Sequence, residues 1–229
     1  LLESVAETSE EFMDRYFSGD EFSVPEILMA LTANVDDCSM VPVTLGSSTQ
    51  LKGVANLLDD IVLYFPSPDK RKKAGIDTKT NDVFAADYDF SKTKSAQIFK
   101  TIVDPFIGKY SMIKVCSGVI KNDDSLYNIN KNVEERISKL YVFEGSKPVE
   151  VPELHAGDIG AIGKLGHART GDTLSLKSHP IQYAKIDVSV PYTYKRYRAK
   201  NKGDEDKVAQ ALQKMSHEDL TMKVVNDAE

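Results

Sequence analysis

Four regularly spaced glycines are the first feature of this 229-residue sequence that could carry chemistry. The segment GDIGAIGKLG, residues 157–166, places a glycine at every third position. A loop that binds phosphate needs glycines that turn successive backbone N–H groups toward the anion, directly before the N-terminus of a helix. The residues that follow, HARTGDTLSL, turn at Gly171 and return to a β pattern instead. We therefore predict that these glycines serve bends and close backbone approaches in a strand.

The motifs with which GTPases bind guanine nucleotides are incomplete. The sequence contains neither the phosphate-binding motif GxxxxGK[ST] nor a DxxG motif. The segment NKGD, residues 201–204, matches the guanine-reading pattern NKxD, but it follows the cationic YKRYRAK rather than a buried apolar strand. We interpret NKGD as the cap of a helix.

Residues that could bind a metal or act as nucleophiles are scattered. The four histidines show no HxxxH or HExxH spacing, and the two cysteines, Cys38 and Cys116, form no CxxC. A zinc site and a disulfide framework are therefore disfavoured. The nucleophile motif GxSxG is also absent. The sequence contains no self-contained active site.

Charge is distributed unevenly along the chain. The formal net charge is −6, but residues 1–64 carry twelve acidic and two basic residues, which leaves 23 acidic and 27 basic residues for 65–229. Basic residues concentrate in the run 70–73 and in 180–202. Such runs form solvated surfaces or linkers, or they contact RNA phosphates. No apolar run approaches the roughly 20 residues that span a membrane, and the acidic start is unlike a secretory signal, so we expect a cytoplasmic protein.

The first 67 residues show a mainly helical pattern with one strand. Ser23 and Glu26 form a capping box, which marks the start of a helix. Apolar residues over 54–65 recur at i, i+3, i+4 and i+7, which predicts a second helix whose apolar face packs on a neighbouring element. Before it, SMVPVTLG at 39–46 predicts a buried parallel strand. Strand, loop and helix would together form the last unit of an α/β domain.

Short β-type segments dominate the middle of the chain. Residues 68–95 are polar with little periodicity and are interpreted as a linker or crossing segment. From 96 to 178, seven short runs separated by turn residues predict a small β-barrel. Within it, Tyr127 and Ile129 alternate with Asn128 and Asn130, which predicts an apolar buried face and a polar wet face.

The last part of the chain, residues 179–229, predicts a strand, a helix and a second strand. PYTYKRYRAK at 191–200 alternates like a strand, and TMKVV at 221–225 has β character. Between them, Val208, Ala211, Leu212 and Met215 share one helical face. This β-α-β piece has too few strands for an independent sheet.

Four stretches of the sequence resemble elongation factor G in chain order. VPVTLGSSTQLKGVANLLDDIVLYFPSP at 41–68 is similar to the end of that family's GTPase domain. FKTIVDPFIGKYSMIKVCSGVIKNDDSLYN at 99–128 and ERISKLYVFEGSKPVEVPELHAGDIGAIGKLGHARTGDTLS at 135–175 look like its second, barrel domain. KGDEDKVAQALQKMSHEDLTMKV at 202–224 is similar to the opening of its third domain.

The resemblance implies a multidomain fold with α/β, all-β and α+β parts. Residues 1–67 would be the C-terminal part of a P-loop GTPase domain, 68–95 a linker, 96–178 a translation-factor β-barrel, and 179–229 the start of a ferredoxin-like domain present as a partial β-α-β. The chain would then be a fragment of a longer protein. The family's Walker A, DxxG and NKxD motifs would lie upstream of the fragment.

The resemblance also implies a function, GTP-dependent translocation on the ribosome. The parent would bind GTP or GDP with Mg²⁺, whereas no cofactor is expected in this fragment, which should be inactive alone. Expected partners are the ribosome with its RNA and, for the parent, guanine nucleotide, but neither a membrane nor DNA. The guanine-side loop would be Gly46, Ser47 and Ser48, whose backbone N–H contacts the guanine oxygen.

Three departures from the family pattern indicate a divergent branch. Ser48 stands where the family usually has alanine, His217 where it has glutamate, and Leu220 where it has proline. A ribosome-protection or release-type GTPase that shares the barrel is therefore an open alternative. A nucleotide-free barrel that binds RNA or ribosomes through charge alone is a second one.

Overall fold

The computed structural model describes residues 1–67, 70, 73–104, 108–201 and 203–225. The chain divides into two compact units, Leu1–Arg71 and Lys72–Glu229. None of the helices in the described part of the chain combines the length and the apolar character that a membrane crossing requires.

The first unit is helical. Its helices are α1 (Leu2–Ala6), α2 (Glu10–Ser18), α3 (Val24–Asp36) and α4 (Val54–Tyr64). They enclose a small core with the buried members Val5, Phe12, Ala30 and Leu31 and the half-buried members Phe22, Ile27, Met40 and Tyr64. The capping box predicted for α3 forms, because the Glu26 carboxylate accepts hydrogen bonds from Ser23 N at 2.8 Å and from Ser23 Oγ at 2.7 Å.

The strand predicted at 39–46 is wrong. Val41, Val43 and Leu45 lie in a segment without regular secondary structure and are exposed by 76%, 82% and 91%. No strand is described within 1–67 with which this segment could pair, and a lone strand leaves its backbone N–H and C=O groups without partners. The apolar face predicted for α4 is likewise only half covered, since Leu58 and Val62 are 58% and 84% exposed.

The second unit is built mainly of antiparallel strands. In chain order its elements are β1 (Ala74–Asp77), β2 (Val83–Ala85), β3 (Ser95–Asp104), β4 (Gly108–Ser117), β5 (Val119–Lys121), β6 (Ser125–Asn128), β7 (Val133–Arg136), β8 (Leu140–Glu144), β9 (Lys147–Val151), β10 (Glu153–His155), β11 (Ile159–Gly163), β12 (Thr173–Ser175), β13 (Ile181–Gln182) and α5 (Glu205–Glu218).

Eight of these strands form one curled sheet in the order β7-β6-β12-β3-β4-β11-β8-β9, and every neighbouring pair is antiparallel. The Asn122 side chain helps to close the curl, because it accepts a hydrogen bond from Leu140 N at 2.9 Å and donates one to Val151 O at 3.2 Å. The sheet wraps a single apolar core. The largest fully buried members are Ile98, Ile113, Ile120, Leu126, Ile137, Leu140, Ile162 and Leu174. The barrel-like fold predicted from the sequence is confirmed.

The segment interpreted as a linker, 68–95, contains two strands. β1 and β2 pair with each other, and β1 also pairs with β13, which closes a three-stranded sheet. The sequence did not predict these strands because each is short and most residues here are polar. Over residues 73–94 only Gly75 and Ala86 are buried, so the strands show no apolar pattern.

The prediction of which face of β6 is buried is reversed in the structure. Asn128 is fully buried, whereas Tyr127 is half-buried. The Asn128 amide donates to Asp172 Oδ2 at 2.9 Å, and a hydrogen-bonded polar pair can enter a core that would reject an unpaired one. Ile137 separates β7 from β8, because its side chain is fully buried and its N–H bonds to Asp124 O.

After β13 the described chain contains one regular element, α5. The predicted helix is therefore confirmed, and it packs on β3 of the barrel. Its last turn is fixed by Glu218, whose Oε1 accepts a hydrogen bond from Val103 N at 2.6 Å. The strands predicted at 191–200 and 221–225 are wrong, because both segments lack a pairing strand in the described part of the chain.

Candidate functional site

The loop that contains Gly46, Ser47 and Ser48 is a tight turn directly before α4. Ser47 and Lys52 pair across it through two backbone hydrogen bonds of 2.9 and 3.1 Å. Its two glycines are required by close backbone approach: a Cβ on Gly46 would lie 2.7 Å from Lys52 O, and one on Gly53 would lie 2.7 Å from Leu45 O. The two backbone segments at the base of the loop are thus in direct contact.

This geometry leaves the tip of the loop available. Ser48 is exposed, and within the described residues its backbone N–H donates no hydrogen bond. Ser47 is half-buried, and its Oγ lies 3.2 Å from Thr49 Oγ1. A free N–H at a rigid tip can donate to a carbonyl oxygen of a bound base. Among the described residues, the loop therefore presents the free backbone N–H of Ser48 at its tip.

Two of the four glycines in the row at 157–166, Gly160 and Gly163, lie in strand β11, as the β pattern indicates. Gly160 faces the β8 backbone and the core, where a Cβ would lie 2.9 Å from Tyr141 O and would collide with the Leu154 side chain. The row continues into a bend at Lys164, whose φ is +63°. The structural interpretation of these glycines is confirmed.

The other motifs are structural as well. In NKGD, Asn201 Nδ2 donates to Asp204 Oδ2 at 3.1 Å, and Asp204 is the N-cap residue of α5, while Lys202 lies outside the described residues. The basic run 70–73 includes Arg71 and Lys72, which also lie outside them. Lys73 Nζ donates to Gln97 Oε1 at 3.0 Å and lies 5.1 Å from the centre of the Tyr183 ring, so this lysine is used inside the unit.

Histidine and cysteine positions carry no metal centre. Across the described residues, no three His, Cys, Asp or Glu side chains come together in a group that could hold a metal ion. Cys38 is exposed and Cys116 is buried, and both are free thiols. Burial raises the pKa of the Cys116 thiol above its usual range, which makes it a poor nucleophile.

A cationic groove between α5 and the barrel is the site that the sequence analysis missed. It is a cavity of about 850 Å³ lined by the charged or ionisable side chains of Lys109, Lys131, His167, Arg169 and His217. The lining contains no aspartate or glutamate. These side chains come from β4, the β6–β7 turn, the loop after β11, and α5, so their grouping could not be read from spacing along the chain.

The carboxylates of Glu135 and Asp172 lie close to the groove, and both accept backbone hydrogen bonds from the loop after β11. Glu135 is only 5% exposed and accepts hydrogen bonds from Gly166 N at 3.0 Å and from His167 N at 2.7 Å. It fixes the loop that carries Arg169. Burial lowers the pKa of Lys109, and its Nζ donates to the backbone oxygen of Ala168 at 2.9 Å.

Comparison with known proteins identifies the barrel. Residues 93–177 match the family model of elongation factor G domain 2. Residues 93–177 are thus similar to the second, barrel domain of elongation factor G. The whole chain also aligns with the crystal structure of a protein from Thermus thermophilus, with a TM-score of 0.72 and 27% identical residues. The chain spans 32% of the length of that protein.

The matched residues run from just before β3 to just after β12. They include the curled sheet, the core and the barrel side of the cationic groove. Gly46, Ser47 and Ser48 lie outside the matched range, as does α5. The barrel is thus the part of the chain that the family model matches.

Proposed function

We propose that this chain is part of an elongation-factor-G-like GTPase that promotes GTP-dependent translocation of the ribosome. This chain would bind the ribosome and transmit the conformational change, and it would not hydrolyse GTP itself. The observation that carries the proposal is the match of residues 93–177 to the second domain of elongation factor G. The sequence lacks the phosphate-binding motif and DxxG, which supports a division in which hydrolysis belongs to other parts of the parent.

The residues present fit a guanine nucleotide only in part. The exposed Ser48 N–H would donate a hydrogen bond to the guanine oxygen. The closely paired residues at the base of the loop would keep this N–H in position. GTP with Mg²⁺ supplies the conformational drive in such proteins, since loss of the γ-phosphate releases switch segments. The remaining contacts to phosphate and Mg²⁺ would come from residues of the parent outside this chain.

A tightly packed barrel suits a domain that transmits a conformational change. A domain that passes on a rotation must move as one body, and here a closed apolar core and buried polar pairs such as Asn128 with Asp172 oppose deformation. The segment 184–199 has no regular secondary structure and carries exposed basic side chains, which suit a contact with RNA phosphates at a ribosomal surface.

The test measures docking and hydrolysis separately. We expect the 229-residue chain to co-sediment with ribosomes, and the bound fraction to fall as salt rises, because phosphate contacts release counterions. We expect no GTP hydrolysis by the chain alone. Hydrolysis above background by the purified polypeptide, lost on heat denaturation, would overturn the division of labour. Failure to bind ribosomes at low salt would overturn the docking role.

Other candidate functions are a ribosome-protection or release-type GTPase and a nucleotide-free barrel that binds RNA through charge. The cationic groove is the observation that favours the last. Intact mass and the N-terminal sequence of the protein purified from cells separate them. A native mass near that of this chain would support the nucleotide-free barrel, whereas a larger product would reveal by its additional domains which GTPase type it is.

A further inference from the structure

We propose that the cationic groove between α5 and the barrel binds a phosphate group, carried either by a small phosphorylated molecule or by an RNA backbone. The inference goes beyond the proposed translocation role, because it names a ligand class for a groove whose lining does not include the loop of Gly46, Ser47 and Ser48. It rests on the charge, the hydrogen bonding and the shape of one cavity.

The charged side chains that line the groove are all basic. Lys109, Lys131 and Arg169 each line the cavity, and no carboxylate does. Like charges that face one shared space repel each other, and an anion placed between them would remove that repulsion. Their effect is visible on His217, since burial and the charges of Lys109 and Arg169 lower the pKa of its imidazole below the usual range.

The charges of Glu135 and Asp172 act on Lys109, but the basic side chains of the groove have no direct ion-pair partner among the described residues. Neither Lys109 nor Lys131 nor Arg169 forms an ion pair with any residue that the structure describes. Arg136, which is also on the barrel, shows the contrast, because its guanidinium donates to Asp123 Oδ1 at 3.1 Å. The guanidinium of Arg169 therefore keeps its planar fork of donors for a ligand, and that fork matches two oxygens of a phosphate.

The groove is also held in shape. Glu135 ties the backbone of Gly166 and His167, and Lys109 ties Ala168, so the residues before Arg169 are fixed. On the other wall, the Glu218 bond to Val103 N holds the last turn of α5 against β3. A cavity of about 850 Å³ with both walls fixed accommodates a diphosphate or a short stretch of RNA backbone.

The experiment is a nuclear magnetic resonance titration of the intact chain with pyrophosphate. We expect amide shifts at 166–169 and 213–217 that saturate, and a rise in the pKa of His217 because the bound anion offsets the charges of Lys109 and Arg169. Arg169→Gln should weaken binding about tenfold, the effect of one lost bidentate contact. Arg169 is exposed, so this variant should fold as the parent does.

Arg136→Gln is the matched control, because it removes the same charge from an exposed site on the same barrel that is already paired with Asp123. Equal pyrophosphate affinity in the two variants would overturn the proposal. So would the absence of shifts at these amides up to about 10 mM pyrophosphate, the affinity floor for a specific small-ligand site.

A second arm distinguishes the source of the phosphate. A single-stranded oligouridylate should displace pyrophosphate from the same amides if the groove reads an RNA backbone. If the ligand is a small phosphorylated molecule, pyrophosphate should bind without such competition. Either result supports the site, and neither depends on whether the chain binds ribosomes, so the two proposals fail independently.

Discussion

Replacing Glu135 by alanine should loosen the barrel edge and disorganise the cationic groove. The Glu135 carboxylate is almost fully buried and accepts hydrogen bonds from the backbone N–H groups of Gly166 and His167 at 3.0 and 2.7 Å. These two bonds hold the bend that follows β11 against the strand β7. Alanine provides no acceptor, so both N–H groups must turn to water.

The magnitude follows from the two bonds. A hydrogen bond to a charged group contributes about 1.5–3 kcal/mol, and water can reach the exposed residues Gly166 and His167, which favours the low end of that range. We therefore expect the free energy of unfolding of the second unit to fall by about 3 kcal/mol, or by about 6–12 °C in melting temperature for a unit of this size. Glu135→Gln keeps one acceptor oxygen and should lose about half as much.

The assay is urea unfolding followed by hydrogen exchange at the amides of β11 and β12, which reports on the second unit alone. Glu134→Ala is the matched control, because Glu134 is the exposed neighbour on the opposite face of β7. It should change the free energy of unfolding by less than about 0.5 kcal/mol. The reasoning is refuted if Glu135→Ala and Glu134→Ala unfold at the same urea concentration.

Three further predictions concern the core, the small sheet and the first unit. Gly160→Ala should destabilise the barrel by about 1–3 kcal/mol in thermal unfolding, because the added Cβ would lie 2.9 Å from Tyr141 O; a neutral result would contradict the close approach. Tyr183→Phe should cost about 1 kcal/mol in urea unfolding, since it removes the hydroxyl that lies 2.6 Å from Ser95 Oγ in the buried interior, and an unchanged stability would show that this bond contributes nothing. Hydrogen bonds from Arg15 and Ser23 lower the pKa of Glu26 from 4.5 to about 2, so the first unit should be destabilised as pH falls through that interval. Circular dichroism of the Glu26→Gln variant should show lower stability at neutral pH and a weaker acid dependence than the parent, and an identical acid profile would count against the assignment.

The helices and the barrel could be predicted because they depend on local patterns. The Ser23–Glu26 box and the apolar repeat over 54–65 set the starts of α3 and α4. Glycine spacing at 157–166 indicated a strand because no helix follows it, and β11 lies there. These features need only the residues within a few positions of each other.

The failures have a common cause, which is dependence on partners distant in sequence. SMVPVTLG and PYTYKRYRAK have strand character, but a strand requires a neighbour to receive its hydrogen bonds, and the described chain provides none. Asn128 was placed on the wet face because an amide prefers water, yet Asp172, 44 residues away, satisfies it inside the core.

The sequence by itself determined where helices begin and that the middle of the chain is a β-rich barrel. It also determined that the motifs for hydrolysis are missing. Each of these features depends on residue type and short-range spacing. Only the tertiary structure decided which charges share a cavity. Lys109, Lys131, Arg169 and His217 belong to four separate elements, and their grouping arises because the curled sheet and α5 bring those elements to one groove. Coulomb interactions act over distances in space, and the fold sets those distances.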